Sequence, residues 1–587
     1  MPSIIKKTIK GNSYYYLVWS GRVNGKPRHI RQVYLGSAEE VAARLTAQVV
    51  PSRAPAGSHS INREFGASAA LWGLAEELGL VDLIDAHIPQ SRSNNNKLSV
   101  GQYLLLAAIN RCVAPTSKRT MGKWYAQSCI SSLMSAPTKA LEGQRFWDAM
   151  DCVTEAHINS IEEELVIRCH RLFALDLRRV LFDATNFFTF IKTTTPSDLA
   201  QRGHNKAKRD DLRQVSLALL VSQDFGIPLL HHTYAGNIHD SMEFDAVLNP
   251  MVTRLAKLTN LEQVTIVFDK GNNSKANFTR LDQMQLHYVG SLPPAQHEDL
   301  LKVPLTDFVE LEGRRLAGVK AYRTTKTVFG KKRTIVMTWN PRLLRGQEAA
   351  LLTYLEKKCR ALREIQLRLQ HLPQQKPAVQ SRTTIETVER EVCSLLTRKE
   401  IKQCIIYQVG KAQGLPTLTF QIDSDAVQRL RHNLYGRNII VTDQDAWSNE
   451  DIVLSYRGQY KLEQQFKNMK DHHALCWWPR FHWTDQKIRV HAFYCVLALL
   501  LLSLLQRKLA GSGLDITIPA MINELRDIQE CTQIVRAQDT EVMRTTTTLS
   551  KLNTVQEKMY HAINLDQWVP GGVLGTTTRK RRKRLST

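Results

Sequence analysis

The sequence predicts an α/β protein. A mixed sheet with flanking helices forms its core, an N-terminal β-hairpin and a helical domain precede the core, and a mixed α/β insertion comes before the core's last helix. Three observations carry this reading. After Arg178 the apolar pattern runs β-β-β-α-β-α-β. Between Phe65 and about Arg171 apolar residues recur at helical spacing. From about 300 to 440 strand-like and helical patterns mix before a last strand, "GRNIIVTD", and a helix, "SYRGQYKLEQQFKNMKD". A chain of 587 residues is too long for one small core.

The elements follow in order. In residues 1–60, "YYYLVWSGRVNGKPRHIRQVYLG" places two β-rich runs around "NGK", a hairpin signal, and a linker follows it. Residues 61–175 hold "AALWGLAEELGLVDLIDAHI" and "VGQYLLLAAINRCV", helical patterns separated by the polar loop "PQSRSNNNK". The basic cluster "TSKRTMGKW", with Lys118, Arg119 and Lys123, makes this a candidate DNA-binding domain; a plain helical packing domain fits equally. In 176–299, "RRVLFDATNFFTFIK" is β-rich and "QVSLALLVSQDFGIPLLHHTYAG" reads as two strands with a turn at "QDFG". "DSMEFDAVLNPMVTRLAKL" reads as a helix opened by a capping box of Asp240 and Glu243. "QVTIVFDKG" is a short buried strand, "NSKANFTRLDQM" a helix and "LHYVGSL" a strand. Residues 300–440 form the insertion, with a charged helix from Arg342 to Leu372 and the polar break "PQQKPAVQSRTT". Residues 441–510 complete the core, and 511–587 read as a helical region ending in the basic tail "TRKRRKRLST".

Charge points to the partner. Lys and Arg number 79 against 55 Asp and Glu, a formal charge of +24, which suits a polyanion. Ten scattered cysteines form no C-x-x-C pair, which argues against a zinc ribbon and for a reducing cytoplasm. The first residues show no apolar signal-peptide core. The longest apolar run, "AFYCVLALLLLSLL", is too short to span a bilayer comfortably, so a buried helix is expected and no membrane partner.

Two strands carry a single Asp in an apolar setting, Asp183 in "VLFDATNFF" and Asp269 in "VTIVFDKGNNS". A lone acid in such a run is costly to bury unless it is paired or metal-bound. The late helix supplies a third candidate, because Tyr456, Gln459, Glu463, Lys467 and Lys470 fall on one stripe at 3.6 residues per turn. Leu462, Phe466 and Met469 lie to one side, ready to pack on the sheet. Three acids suit magnesium, which takes hard oxygen ligands, while Lys467 and Lys470 suit a phosphate. The helix taken alone has a plainer explanation, a solvated face with a Glu463–Lys467 ion pair.

Taken together, Asp183, Asp269 and Glu463 resemble the acidic triad of DDE insertion-sequence transposases with a ribonuclease H-like (retroviral-integrase-like) core. The late helix resembles that family's Y-x2-R-x3-E-x6-K signature: Tyr456, Glu463 and Lys470 match in spacing, and Gln459 stands at the Arg position. Arg457 is the neighbouring cation, on another side of the helix. "NKAKRDDLRQVSLALLV", "GNIHDS" and "WWPRFHWTDQKIRVHAFYCVLALLL" are similar to segments of the IS-four superfamily, 1634-type branch. The acids are spaced 86 and 194 residues apart, and the second gap is where the family often carries a mainly β insertion.

The resemblance implies a DNA transposase that binds terminal inverted repeats, frees a 3′-OH and joins it to target DNA. It implies two Mg²⁺ ions, with Mn²⁺ as a substitute, on Asp183, Asp269 and Glu463. Tyr456, Arg457, Lys467 and Lys470 would lie along the scissile strand, with Lys118, Arg119 and Lys123 at the ends and Trp447 stacking on a base or packing in the core. A homodimer in the synaptic complex and a bacterial, cytoplasmic, nucleoid-associated location are implied too. The alternatives are a metal-dependent nuclease of the same fold without strand transfer, and an inactive transposase-derived DNA-binding protein.

Overall fold

A computed structural model describes the whole chain except residues 1, 10–11, 24–25, 38–58, 90–97, 206, 239–246, 270, 272, 473–474, 478–481, 537–542 and 570–587. The "NG" of the hairpin turn, most of the linker, the "SRSNNNK" loop, the Asp240–Glu243 capping box and the basic tail lie outside the described residues. The chain divides into two units, Met1–Asn62 with Glu530–Leu549, and Arg63–Gln529 with Ser550–Thr587.

In the first unit, Asn12–Val23 and Lys26–Ser37 pair as the expected antiparallel hairpin. Pro2–Ile9 adds a third strand. Its paired lysines, Lys6 and Lys7, mask its β pattern in sequence and suit an edge strand. A second sheet joins His59–Glu64, Gln529–Arg536 and Met543–Leu549. The helical reading of 511–587 holds for Ile518–Arg526 and Thr554–Ala562 but is corrected between them, where β-branched residues in "QECTQIVR" and "MRTTTTL" favour an antiparallel ladder.

The second unit starts with helices. Two of them set its frame: α1 (Val100–Val113), opened by a Ser99–Gln102 capping box, and α2 (Glu155–Phe173), capped by Thr154. Its sheet has nine strands: β1 (Arg179–Thr189), β2 (Arg213–Ser222), β3 (Pro228–Ala235), β4 (Thr265–Val267), β5 (His287–Leu292), β6 (Val309–Glu310), β7 (Lys320–Val328), β8 (Lys331–Trp339) and β9 (Arg437–Thr442). Their spatial order is β6-β7-β8-β9-β5-β4-β1-β2-β3. β1 runs antiparallel to β2 and parallel to β4, and β4 runs parallel to β5. β2 is buried along nearly its whole length, as its unbroken apolar run requires. It turns into β3 through Phe225 and Gly226, both at positive φ.

The insertion is mixed α/β, as its sequence predicts, and falls into two parts. Its first strands, β6 to β8, extend the main sheet and pair onward to β9. The rest has its own core, with Leu351, Leu355 and Leu362 packed on Val388, Val392 and Leu418. That part is mainly helical, not mainly β. It contains the 30-residue helix Pro341–Gln370 and one hairpin, Ile405–Ala412 with Leu415–Ile422. The polar break forms a short helix, Pro377–Arg382, with Pro at its first turn.

Three helices finish the core: α3 (Asn449–Arg457), α4 (Gln459–Lys470) and α5 (Asp485–Gly511). α5 is long and apolar enough to cross a membrane, but 94% of its apolar window is buried in protein. It is the central core helix, packed on α1 and β3.

Candidate functional site

β1 and β4 align the two aspartates. Leu181 lies opposite Val267 in the parallel ladder, so Asp183 and Asp269 each stand two residues beyond a matched pair. Adjacent strands are about 4.8 Å apart, so the two acids lie at matched positions on neighbouring segments, Asp269 just beyond the end of β4. Asp183 is half-buried and its Oδ1 accepts from the Ala184 N–H at 2.8 Å.

α4 is tied to this edge along its length. Gln459 Nε2 donates to the Phe182 carbonyl at 3.0 Å, and Lys461 Nζ to the Gln223 carbonyl at 2.7 Å. Gln465 Nε2 donates to the Phe225 carbonyl at 2.9 Å. Lys470 Nζ donates to Thr185 Oγ1 at 2.7 Å and lies 5.2 Å from the Phe187 ring centre. Thr185 and Phe187 share the face of β1 that carries Asp183. Glu463 stands on α4 between the Gln459 and Lys470 anchors and is exposed, as is Lys467. Leu462, Phe466 and Met469 are buried, as their spacing predicts. Glu463 and Lys467 are both exposed, as a solvated face would be, but among the described residues no ion pair joins them.

The single helix of the sequence reading is two. Gly458 separates α3 from α4, and a Cβ there would stand 2.9 Å from the Ser455 carbonyl and 3.1 Å from Gln223 Nε2. Tyr456 therefore belongs to α3 and reaches the site from another direction. Its hydroxyl donates to Asp269 Oδ1 at 3.3 Å, and the Ser291 and Asn438 side chains bond the Tyr456 hydroxyl itself. Burial pushes the phenol above its ordinary value of 10.0, so it keeps its proton.

The basic residues divide. Arg119 and Lys123 are exposed. Lys118 corrects the expectation of a surface cation. It is 7% exposed, its Nζ donates to the Tyr494 hydroxyl at 3.2 Å and sits 4.2 Å over that ring. Burial, with Arg111 beside it, holds its ammonium well below the ordinary lysine range. Arg457 Nη1 donates to the Arg315 carbonyl at 3.0 Å, away from the aspartates. Trp447 stacks under the Arg179 guanidinium at 4.6 Å. Sequence reasoning missed Lys461 and Gln465 as anchors and Ser291 and Asn438 around Tyr456; no motif marks them.

Comparison with solved structures finds a cryo-EM structure of a piggyBac transposase synaptic complex with hairpin DNA, at 9% identity and a TM-score of 0.32 over 78% of each chain. No curated protein matches. The family model "Transposase DDE domain" matches residues 178–501, from the start of β1 to the middle of α5. That is more than half of the chain, which therefore belongs to the DDE-domain transposases, enzymes that cut and join DNA with divalent metal ions.

Proposed function

We propose that this chain is a cut-and-paste DNA transposase of the IS-four superfamily, 1634-type branch. It hydrolyses a phosphodiester at each terminal inverted repeat and joins the freed 3′-OH to target DNA. The observation that carries this is the matched positions of Asp183 and Asp269 on neighbouring parallel segments, with α4 anchored across β1 on both sides of Glu463. The 3-2-1-4-5 order of β1 to β5, with its antiparallel first three strands, supports a ribonuclease H-like core.

The donor set suits a hard divalent cation, since all three acids offer only carboxylate oxygen. Among the described residues no three such side chains come together as a group that could hold a metal ion, so Glu463 does not join the two aspartates in this structure. Magnesium usually keeps water and substrate phosphate as ligands, so the reading requires bound DNA to complete the site. Asp183, Asp269 and Glu463 would hold two Mg²⁺ or Mn²⁺ ions, which when bound activate the attacking oxygen and stabilise the leaving one. Tyr456 holds the Asp269 carboxylate through its hydroxyl. Gln459 fixes the backbone just before Asp183. Lys470 and Lys467 present ammonium groups to the scissile strand, and Arg119 and Lys123 offer contacts to flanking phosphates. Arg457, turned toward Arg315, steadies the neighbouring segment instead. Synapsis of two ends calls for a homodimer during reaction.

The test is cleavage and joining of an inverted-repeat duplex in Mg²⁺ by wild type and Asp183→Asn. The variant is expected to lose about a hundredfold or more in both steps. Equal cleavage by the two proteins rejects the site, and hydrolysis without joining by wild type favours a nuclease.

A further inference from the structure

A cavity of about 680 Å³ opens between the loop after α1 and the start of α5. Its volume is in the range of small-molecule sites. Its lining combines cations with aromatic rings: Lys118, Arg119 and Lys487 with Trp147, Trp483 and Tyr494, and no acidic side chain among them. Trp483 lines the cavity and is 66% exposed, so most of its apolar indole faces solvent. Lys118 and Tyr494 form a fixed wall, bonded to each other at 3.2 Å. Lys487 is held by Asp151 at 2.5 Å, whereas Arg119 makes no ion pair among the described residues.

The cavity also connects to the face that bears Asp183. Tyr494 bonds His491 Nδ1 at 2.5 Å, and His491 Nε2 donates to the Trp477 carbonyl at 2.8 Å. Trp477 in turn stacks on Phe187 of β1 with ring centres 4.1 Å apart.

Rings that offer flat apolar faces beside Arg119, which has no ion pair among the described residues, and the partly exposed Lys487 fit a ligand that is planar, aromatic and anionic. A single nucleotide has that chemistry: its base stacks on an indole whatever its identity, and its phosphate takes Arg and Lys. We propose that this cavity binds one nucleotide unit outside a duplex, its base against Trp483 and Trp147 and its phosphate against Arg119 and Lys487. The nucleotide is either a free nucleoside phosphate or an unpaired unit of a DNA strand. The inference does not rest on the metal-site reading.

The experiment is equilibrium binding of two probes to the full chain, thymidine 5′-monophosphate and a 5′-phosphorylated thymidine trinucleotide. Both are measured with wild type, Trp483→Ala, Trp147→Ala and Asp183→Asn. Each tryptophan variant is expected to weaken binding about tenfold, and Asp183→Asn to bind as wild type does. Thermal melting checks folding, and the exposed Trp483 keeps the test readable should Trp147→Ala unfold. A trinucleotide bound more than about tenfold tighter than the monophosphate assigns the pocket to a DNA strand; equal affinities assign it to a free nucleotide. Wild-type affinity in Trp483→Ala for both probes overturns the proposal, as does loss of binding in Asp183→Asn alone.

Discussion

The hydroxyl of Tyr456 donates a 3.3 Å hydrogen bond to Oδ1 of Asp269, joining α3 to the end of β4 across 187 residues. The phenol keeps its proton because burial raises its ionisation above the ordinary range. A protonated donor fixes the rotation of the carboxylate. Groups that orient a metal-binding carboxylate typically change metal affinity 10- to 100-fold, roughly. Tyr456→Phe should therefore raise the Mg²⁺ concentration needed for half-maximal cleavage about tenfold, with cleavage largely recovered at saturating metal. Titration of cleavage against Mg²⁺ checks it. An unchanged midpoint would show that the tyrosine contacts DNA and does not position Asp269.

Gln459 replaces the Arg of the family signature, and the structure supplies a reason. Its side chain is 7% exposed and donates to the carbonyl that precedes Asp183. A guanidinium in the same place would be a buried charge, with a cost of several kcal/mol unless paired. Gln459→Ala is expected to cost about 1–3 kcal/mol through the lost bond. Gln459→Arg should cost at least as much, about 3 kcal/mol. Urea unfolding of both variants measures this. A Gln459→Arg protein as stable as wild type would mean that the position opens toward a phosphate.

These two residues show what the sequence could and could not reveal. Asp183 and Asp269 stand out in the sequence because each interrupts an apolar pattern, and burial of an unpaired acid is expensive; Glu463, exposed on a polar helix, stands out only by its spacing from Tyr456 and Lys470. The strand order around them was legible from period and turn signals. Tyr456 was assigned to the same stripe as Glu463, yet Gly458 ends its helix, and a glycine inside a helical pattern does not say whether it breaks the helix. Lys118 was assigned to the surface by composition. The aromatic wall that buries it comes from Phe146 and Tyr494, and the latter lies 376 residues away, a pairing that no local pattern encodes. The last two strands of the first unit were missed because threonine-rich runs carry little apolar periodicity.

The three basic residues near 120 should therefore separate in solution. Arg119→Ala and Lys123→Ala should each flatten the logarithmic salt dependence of duplex binding by about one unit, as a lost phosphate contact does. Lys118→Met should leave that slope unchanged, because its ammonium faces Tyr494. Binding isotherms across a series of salt concentrations distinguish the cases. A flatter slope for Lys118→Met would mean that the helical region opens on DNA and exposes the lysine.

Two half-buried groups should make stability depend on pH in opposite directions. Burial pushes the Glu64 carboxyl from 4.5 up to about 7, against hydrogen bonds from Ser68 and Ala67. The folded protein then holds a proton that the unfolded chain releases. The stability this gives is complete below about 4.5 and is lost as pH rises through about 7. Burial and the nearby Arg489 push His232 from 6.5 down to about 4, with His231 and Arg254 adding to the effect and Glu162 opposing it. Its stability is complete above about 6.5 and is lost as pH falls through about 4. Between about 4.5 and 6.5 the two slopes offset each other in wild type. Replacing one group should expose the other. Relative to wild type, Glu64→Gln should gain stability as pH rises, by no more than about 3 kcal/mol in total. His232→Gln should gain it as pH falls. Thermal unfolding of the three proteins from pH 4.5 to 7.5 reads both slopes, and parallel curves for Glu64→Gln and wild type would show that Glu64 is ionised in the fold.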